Sequence, residues 1–215
     1  MAATDDSCRL YLVVETGAAA AERAAAALAV ADAACLLIEP APGAPLDAGS
    51  ARPLVALAQA KNVAAIIASD APLARTLQAD GVHLPPSREP AKAYADARRI
   101  LGQGFIVGAD AGKSRHDAMV LGEAGADYIG FGIPAGIANI EGARARRLDL
   151  VSWWATIFEV PCVAFDVATP EDAEQLARAG ADFIGVRLEA GESLVDAAAR
   201  VRAIADAIGV STPAR

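Results

Sequence analysis

The amino-acid sequence predicts a closed (β/α)8 barrel, a TIM barrel, built as one domain over residues 1–215 with flexible ends at 1–8 and 209–215. Three observations carry this. Short apolar runs alternate with helix-patterned segments along the whole chain, and there are eight of each. The runs are continuously apolar, as parallel strands covered on both faces require. A turn also repeats: Gly125-Ala-Asp-Tyr-Ile-Gly130 is echoed by Gly180-Ala-Asp-Phe-Ile-Gly185 and, more weakly, by Ala79-Asp-Gly-Val82. Repeated units of one size suit a closed barrel better than an open doubly wound sheet.

The elements follow in order. Leu10–Val14 is a β-rich run, followed by an alanine-rich helix over Ala18–Asp32. Ala34–Ile38 and Asp47–Lys61 form the second unit, Val63–Ala68 and Ala71–Ala79 the third. Gly81–Leu84 leads to Pro90–Leu101, whose proline stands where a missing N–H costs nothing. Phe105–Ala109 with Ser114–Ala124, and Asp127–Phe131 with Asp149–Phe158, are the fifth and sixth units. The stretch 132–148 between the sixth strand and its helix reads as a long loop, rich in Gly and Ala and carrying Arg144, Arg146 and Arg147. Pro161–Phe165 precedes a helix over Thr169–Ala179 that opens with an N-cap threonine, a proline and two acids. Asp182–Leu188 and Ser193–Ile208 complete the set.

Composition narrows the function. Hydrophobic residues make up 54% of the chain but aromatics only 5%, and alanine is about a quarter, which suits helices packed closely on a sheet. The net charge of −8, with no basic tail or patch, argues against a nucleic-acid partner. No apolar run is long enough to span a membrane, and the first residues do not resemble a signal peptide. Cys8, Cys35 and Cys162 are odd in number and show no metal-ligand spacing, which reads as free thiols in the cytoplasm.

In this fold chemistry sits at the C-terminal ends of the strands. The residues there are Glu15 and Thr16, Glu39, Ser69 and Asp70, His83 with Ser87 and Arg88, Asp110 with Lys113, Gly132, Asp166, and Arg187 with Glu189. Glu39, Asp70, His83, Arg88, Lys113, Gly132, Asp166 and Arg187 are the ligand-binding candidates, with no catalytic residue assigned. Glu39, Asp70 and Asp166 could ligate magnesium if they converge, or else remain solvated rim carboxylates. Arg187 either binds an anion, such as a phosphate ligand, or pairs with Asp166 on the neighbouring strand. His83 either faces the barrel mouth or packs within the wall. Of Trp153 and Trp154, adjacent on one helix, one belongs to the core.

Several of these stretches resemble thiamine phosphate synthase (thiamine-phosphate pyrophosphorylase): Cys8-Arg-Leu-Tyr-Leu12, Asp80-Gly-Val-His-Leu84, the Gly125 and Gly180 repeats, Pro161-Cys-Val-Ala164 and Thr169-Pro-Glu171. Ser114-Arg-His-Asp-Ala-Met119, Trp153-Trp154 and Glu159-Val-Pro-Cys162 are similar to its alphaproteobacterial branch. The likeness runs from about residue 8 to residue 190. It implies the barrel fold, a homodimer, and the coupling of a pyrimidine diphosphate to a thiazole phosphate with Mg²⁺ holding the pyrophosphate.

The motifs that serve this reaction depart from the family pattern. The family's Gln-Leu-Arg-x-Lys after strand two is here Leu36-Leu37-Ile38-Glu39-Pro40. Its Asn-Asp-Arg after strand three aligns with Ala68-Ser69-Asp70, so that only a one-residue slip brings Asp70 onto the metal, and its second metal Asp falls on Arg88. Its Ser-x-His becomes Asp110-Ala111-Gly112, its Pro-Thr-x-Thr-Lys becomes Gly136-Ile137-Ala138-Asn139-Ile140, and its Gly-Gly after strand seven becomes Asp166-Val167. Losing one charge that stabilises a transition state costs roughly 10²–10³ in rate. The expectation is a divergent paralogue without Mg²⁺ ligands or normal synthase activity, which binds a small ligand or partners a true synthase. The alternative is an active thiamine-pathway enzyme with a relocated site, the synthase itself or one like the thiazole tautomerase branch.

Overall fold

The computed structural model describes residues 8–134 and 136–211. Its elements, in order, are β1 (Arg9–Glu15), α1 (Ala20–Val30), β2 (Ala33–Glu39), α2 (Ala48–Ala60), β3 (Ala64–Ala68), α3 (Ala71–Leu77), β4 (Gly81–Leu84) and α4 (Pro90–Leu101). They continue with β5 (Ile106–Asp110), α5 (Arg115–Ala124), β6 (Tyr128–Phe131), α6 (Ile140–Ile157), β7 (Cys162–Ala164), α7 (Pro170–Arg178), β8 (Phe183–Leu188) and α8 (Leu194–Ser211). The strands pair in parallel in chain order, and β8 closes onto β1 with Val186 beside Leu12. The chain is therefore a (β/α)8 barrel. The ends expected to be flexible lie mostly outside the described residues, although α8 runs on through Gly209 to Ser211.

The repeated turn is a staple. Gly125 ends α5 at φ 94°, and Gly180 follows α7 at φ 97°, both in the left-handed region that glycine fills without strain. The aspartate two residues on then turns its carboxylate onto the preceding strand. Asp127 accepts from the Val107 N–H at 2.7 Å, Asp182 from Cys162 at 2.8 Å, and Asp80 from Ala65 at 2.8 Å. Each satisfies a backbone donor at the barrel's lower rim and fixes where the next strand enters.

One boundary differs from the sequence reading. The stretch 132–148 is not all loop, because α6 begins at Ile140. Asn139 caps it, its side chain accepting from the Gly142 N–H at 2.9 Å. Gly142 disguises the first turn, but the Ala-Arg run after it favours helix. The three arginines read as loop residues therefore sit on a helix. Arg147 is fully buried there, donating to the Phe165 carbonyl and to both Asp172 oxygens at 2.7 and 2.6 Å. Trp154 is the core tryptophan, while Trp153 is half-buried against Phe158 and under the Arg115 guanidinium.

Alternation along the strands creates two apolar layers. Leu10, Leu12 and Val14 face the helices, whereas Tyr11 and Val13 face the barrel axis beside Leu37, Ile66, Tyr128, Val163 and Phe165. Three buried aromatic side chains centre that interior, and Phe183 packs against them. Tyr11 packs edge-on to Tyr128 and Phe165, with centroids 5.7 and 5.3 Å apart. Glycines on the adjacent strands make the room: a Cβ on Gly108 would lie 2.0 Å from the Tyr128 ring, and one on Gly185 would lie 2.6 Å from Phe165.

Gly108→Ala is thus expected to destabilise the fold by about 1–3 kcal/mol through overpacking. Gly104→Ala, where nothing lies within 4 Å of the new methyl, is the control and should change stability by less than about 0.5 kcal/mol. Urea titration of both variants checks the pair.

Candidate functional site

The upper ends of the strands enclose a cavity of about 220 Å³, lined by Val13, Leu37, Glu39, His83, Asp110, Ile133, Phe165, Asp166 and Arg187. Of the eight binding candidates, the cavity gathers Glu39, His83, Asp166 and Arg187. Gly132 lies beside it, since a Cβ there would come 3.0 Å from Asp166 Oδ2 and 3.4 Å from Asp110 Oδ2. The other three stand apart. Asp70 caps α3, accepting from the Leu73 N–H at 2.8 Å. Arg88 is exposed on the β4–α4 connection. Lys113 is exposed at the edge of a neighbouring recess between the 132–139 loop and α6.

Arg187 does not pair directly with Asp166. It reaches toward β1 and β2, donating to Glu39 at 2.6 Å and Glu15 at 3.2 Å. Burial alone would lower its pKa, but the hydrogen bond and charge of Glu39, with the charges of Asp166 and Glu15, together raise it. Asp166 instead accepts from the Ile133 N–H at 2.7 Å and so ties the β7 end to the 132–139 loop. Its backbone has φ 60°, a left-handed conformation that Asp tolerates better than most residues but that glycine adopts freely. Ser69 shares this conformation at φ 64°, just before Asp70 turns into its cap.

His83 faces the mouth although it is buried, with 8% of its surface exposed. Burial pushes its pKa down to about 4, so the ring is neutral near pH 7. Nδ1 lies 3.0 Å from the Tyr128 hydroxyl, which lies 2.7 Å from that of Tyr11. Asp110 sits at the top of β5 and accepts from the Gly112 N–H at 2.5 Å. Burial raises its carboxyl to about 6, and the neighbouring Asp166 charge adds to the rise against that hydrogen bond.

Sequence reasoning ranked neither Glu15 nor Asp110 among its candidates and passed over Tyr11, Tyr128 and Phe165. The signal was present in the period of two, which puts Tyr11, Val13 and Glu15 on one side of β1 and Ile106, Gly108 and Asp110 on one side of β5.

The arrangement does not fit the magnesium that the family resemblance implies. Asp70 is committed to its helix cap, and a cationic arginine stands at 88 where a second carboxylate would be needed. No group of three or more His, Cys, Asp or Glu among the described residues is placed to hold a metal ion. Nor is any described helix long and apolar enough to cross a membrane.

Residues 10–189 match the family model described as thiamine monophosphate synthase. The thiamine-phosphate synthase of Rhodospirillum centenum is 41% identical over 186 residues, covering 83% of this chain and 87% of that protein. That of Erythrobacter litoralis is 41% identical over 138 residues, and the match covers 63% of each chain. Among solved structures, a thiamine phosphate pyrophosphorylase from Pyrococcus furiosus superposes with a TM-score of 0.76 at 20% identity, covering 95% of this chain and 97% of the other. A tryptophan synthase from Mycobacterium tuberculosis reaches 0.75 at 13% identity over 94% and 93%, a likeness of fold alone.

The Asp110 carboxyl is expected to titrate near pH 6, followed by ¹³C NMR, and its midpoint should fall in Asp166→Asn as the neighbouring charge is removed. Because folding raises this pKa above the ordinary value of 3.8, the folded state holds the proton longer than the unfolded one. Stability should therefore fall as pH rises from about 4 to about 6, and Asp110→Asn should lose that dependence.

Proposed function

Because the chain belongs to the thiamine monophosphate synthase family, we propose that it is a divergent paralogue that keeps the barrel and a ligand pocket at its mouth but not the coupling of a pyrimidine diphosphate to a thiazole phosphate. One observation carries this reading. Among the described residues Arg187 is the only cationic side chain lining the cavity, and it is already engaged by Glu15 and Glu39, while Asp110 and Asp166 add further acid beside it. A pyrophosphate entering there would meet carboxylates where it needs cations. The arginine-rich stretch supplies none, because it lies along α6, where Arg147 is buried against Asp172 and Arg146 pairs with Asp149.

A second reading is an enzyme of the same pathway that moves protons, comparable to the thiazole tautomerase branch. A neutral His83 and an Asp110 titrating near 6 line one cavity, and such a pair can exchange a proton with a ligand near neutral pH. Incubating the chain with thiazole phosphate in D₂O and following loss of ring-proton signals separates the two, since the divergent-binder reading predicts no exchange above buffer.

The free cysteines suit the cytoplasm, and the family likeness suggests a homodimer. Light scattering should then give twice the 21.8 kDa chain mass. The central test mixes the full chain with pyrimidine diphosphate, thiazole phosphate and Mg²⁺, alongside the Rhodospirillum centenum relative. The expected result is no thiamine phosphate from this chain under conditions where the relative makes it. Product at a comparable rate overturns the proposal.

A further inference from the structure

His83 carries an unused polar atom. Its Nδ1 is taken by Tyr128, but Nε2 has no hydrogen-bond partner among the described residues, and the ring is more than nine-tenths buried against the cavity. Proton placement fixes what Nε2 offers. Tyr11 is fully buried, and its hydroxyl has the Tyr128 hydroxyl as partner. If Tyr11 donates to Tyr128, and Tyr128 donates to Nδ1, every proton is used. The reverse direction leaves the Tyr11 proton without an acceptor in the core, which is costly. Nε2 therefore carries the ring proton and presents it to the cavity as a donor awaiting an acceptor.

The surrounding charge fixes the rest of the ligand. Asp110 and Asp166 both turn an oxygen toward Gly132, and among the described residues each accepts a single backbone N–H. The pairing of Arg187 with Glu15 and Glu39 leaves that side of the cavity net negative too. Val13, Leu37 and Phe165 supply an apolar wall, and an aromatic ring among them favours a cation further. At about 220 Å³ the space is smaller than the roughly 300–1,000 Å³ of pockets for drug-sized molecules. That limits the ligand to about one ring.

We propose that the barrel mouth binds a small organic cation, a single ring with an ammonium group held between Asp110 and Asp166 and an acceptor atom that takes the His83 Nε2 proton. The inference rests on the reading that the mouth has exchanged anion binding for another ligand, and it names that ligand's class.

A charge series on one ring tests it at pH 7.5: 3-(aminomethyl)pyridine as the cation, 3-pyridinemethanol as the neutral analogue and nicotinate as the anion, each titrated into the ¹⁵N-labelled full chain and followed by amide shifts. The cation is expected to saturate the shifts of mouth residues, with the other two at least roughly tenfold weaker. Asp110→Asn and Asp166→Asn should each weaken the cation by roughly tenfold, and their amide spectra report whether they fold. Nicotinate, or inorganic pyrophosphate with Mg²⁺, binding as tightly as the cation overturns the inference. So does absence of saturation by any probe, or an unchanged cation affinity in both folded variants. The product assay fails separately: a chain that makes no thiamine phosphate and also ignores the cation refutes only the ligand class.

Discussion

A closed eight-stranded barrel has an interior of nearly fixed width, and whatever points inward must fill it without gaps or overlap. This chain, poor in aromatics overall, buries Tyr11, Tyr128 and Phe165 there, with Phe183 packed against them. Tyr11, Tyr128 and Phe165 pack around the axis, and Gly108, Gly130 and Gly185 on neighbouring strands leave the space beside them bare so that the rings fit. A larger residue at any of the three glycines would push a ring off its place. The floor of the mouth is thus set by strand positions that make no contact with a ligand.

That packing carries a polar thread. Two tyrosine hydroxyls and one imidazole nitrogen run in sequence from the buried centre to the base of the cavity. Buried polar groups are tolerated when each finds a partner, and this one is satisfied at every step except the last atom. The neutral His83, the raised Asp110 carboxyl and the ion-paired Arg187 all follow from a mouth that is narrow, partly buried and acidic. Glu15, Glu39, Asp110 and Asp166 stand around Arg187 at this mouth, so its local balance of charge is acidic.

Much of the fold was legible because barrel strands, covered on both faces, read as unbroken apolar runs, and because the Gly-Ala-Asp turn recurs with one geometry. The start of α6 was hidden by Gly142, which masked a helix whose cap, Asn139, was in plain view. The site was harder. Glu39, His83, Asp166 and Arg187 were visible as strand-end residues and do converge, but Asp70 does not, and its sequence context already pointed elsewhere: an aspartate followed two residues later by proline is an N-cap pattern. Which carboxylate engages Arg187 could not be read from adjacency. Asp166 lies on one neighbouring connection, yet its oxygen is held by Ile133, and the arginine turns the other way, to Glu15 on β1 and Glu39 on β2.

The backbone at Asp166 keeps a shape that glycine would fill without cost. Aspartate and glycine codons differ by a single base, so the acidic character of this corner is one nucleotide away from being withdrawn, with no rearrangement of the main chain required. Such a change would also release the tether to Ile133. The charge of the mouth and the freedom of the loop above it are therefore inherited together, and selection acting on one necessarily acts on the other.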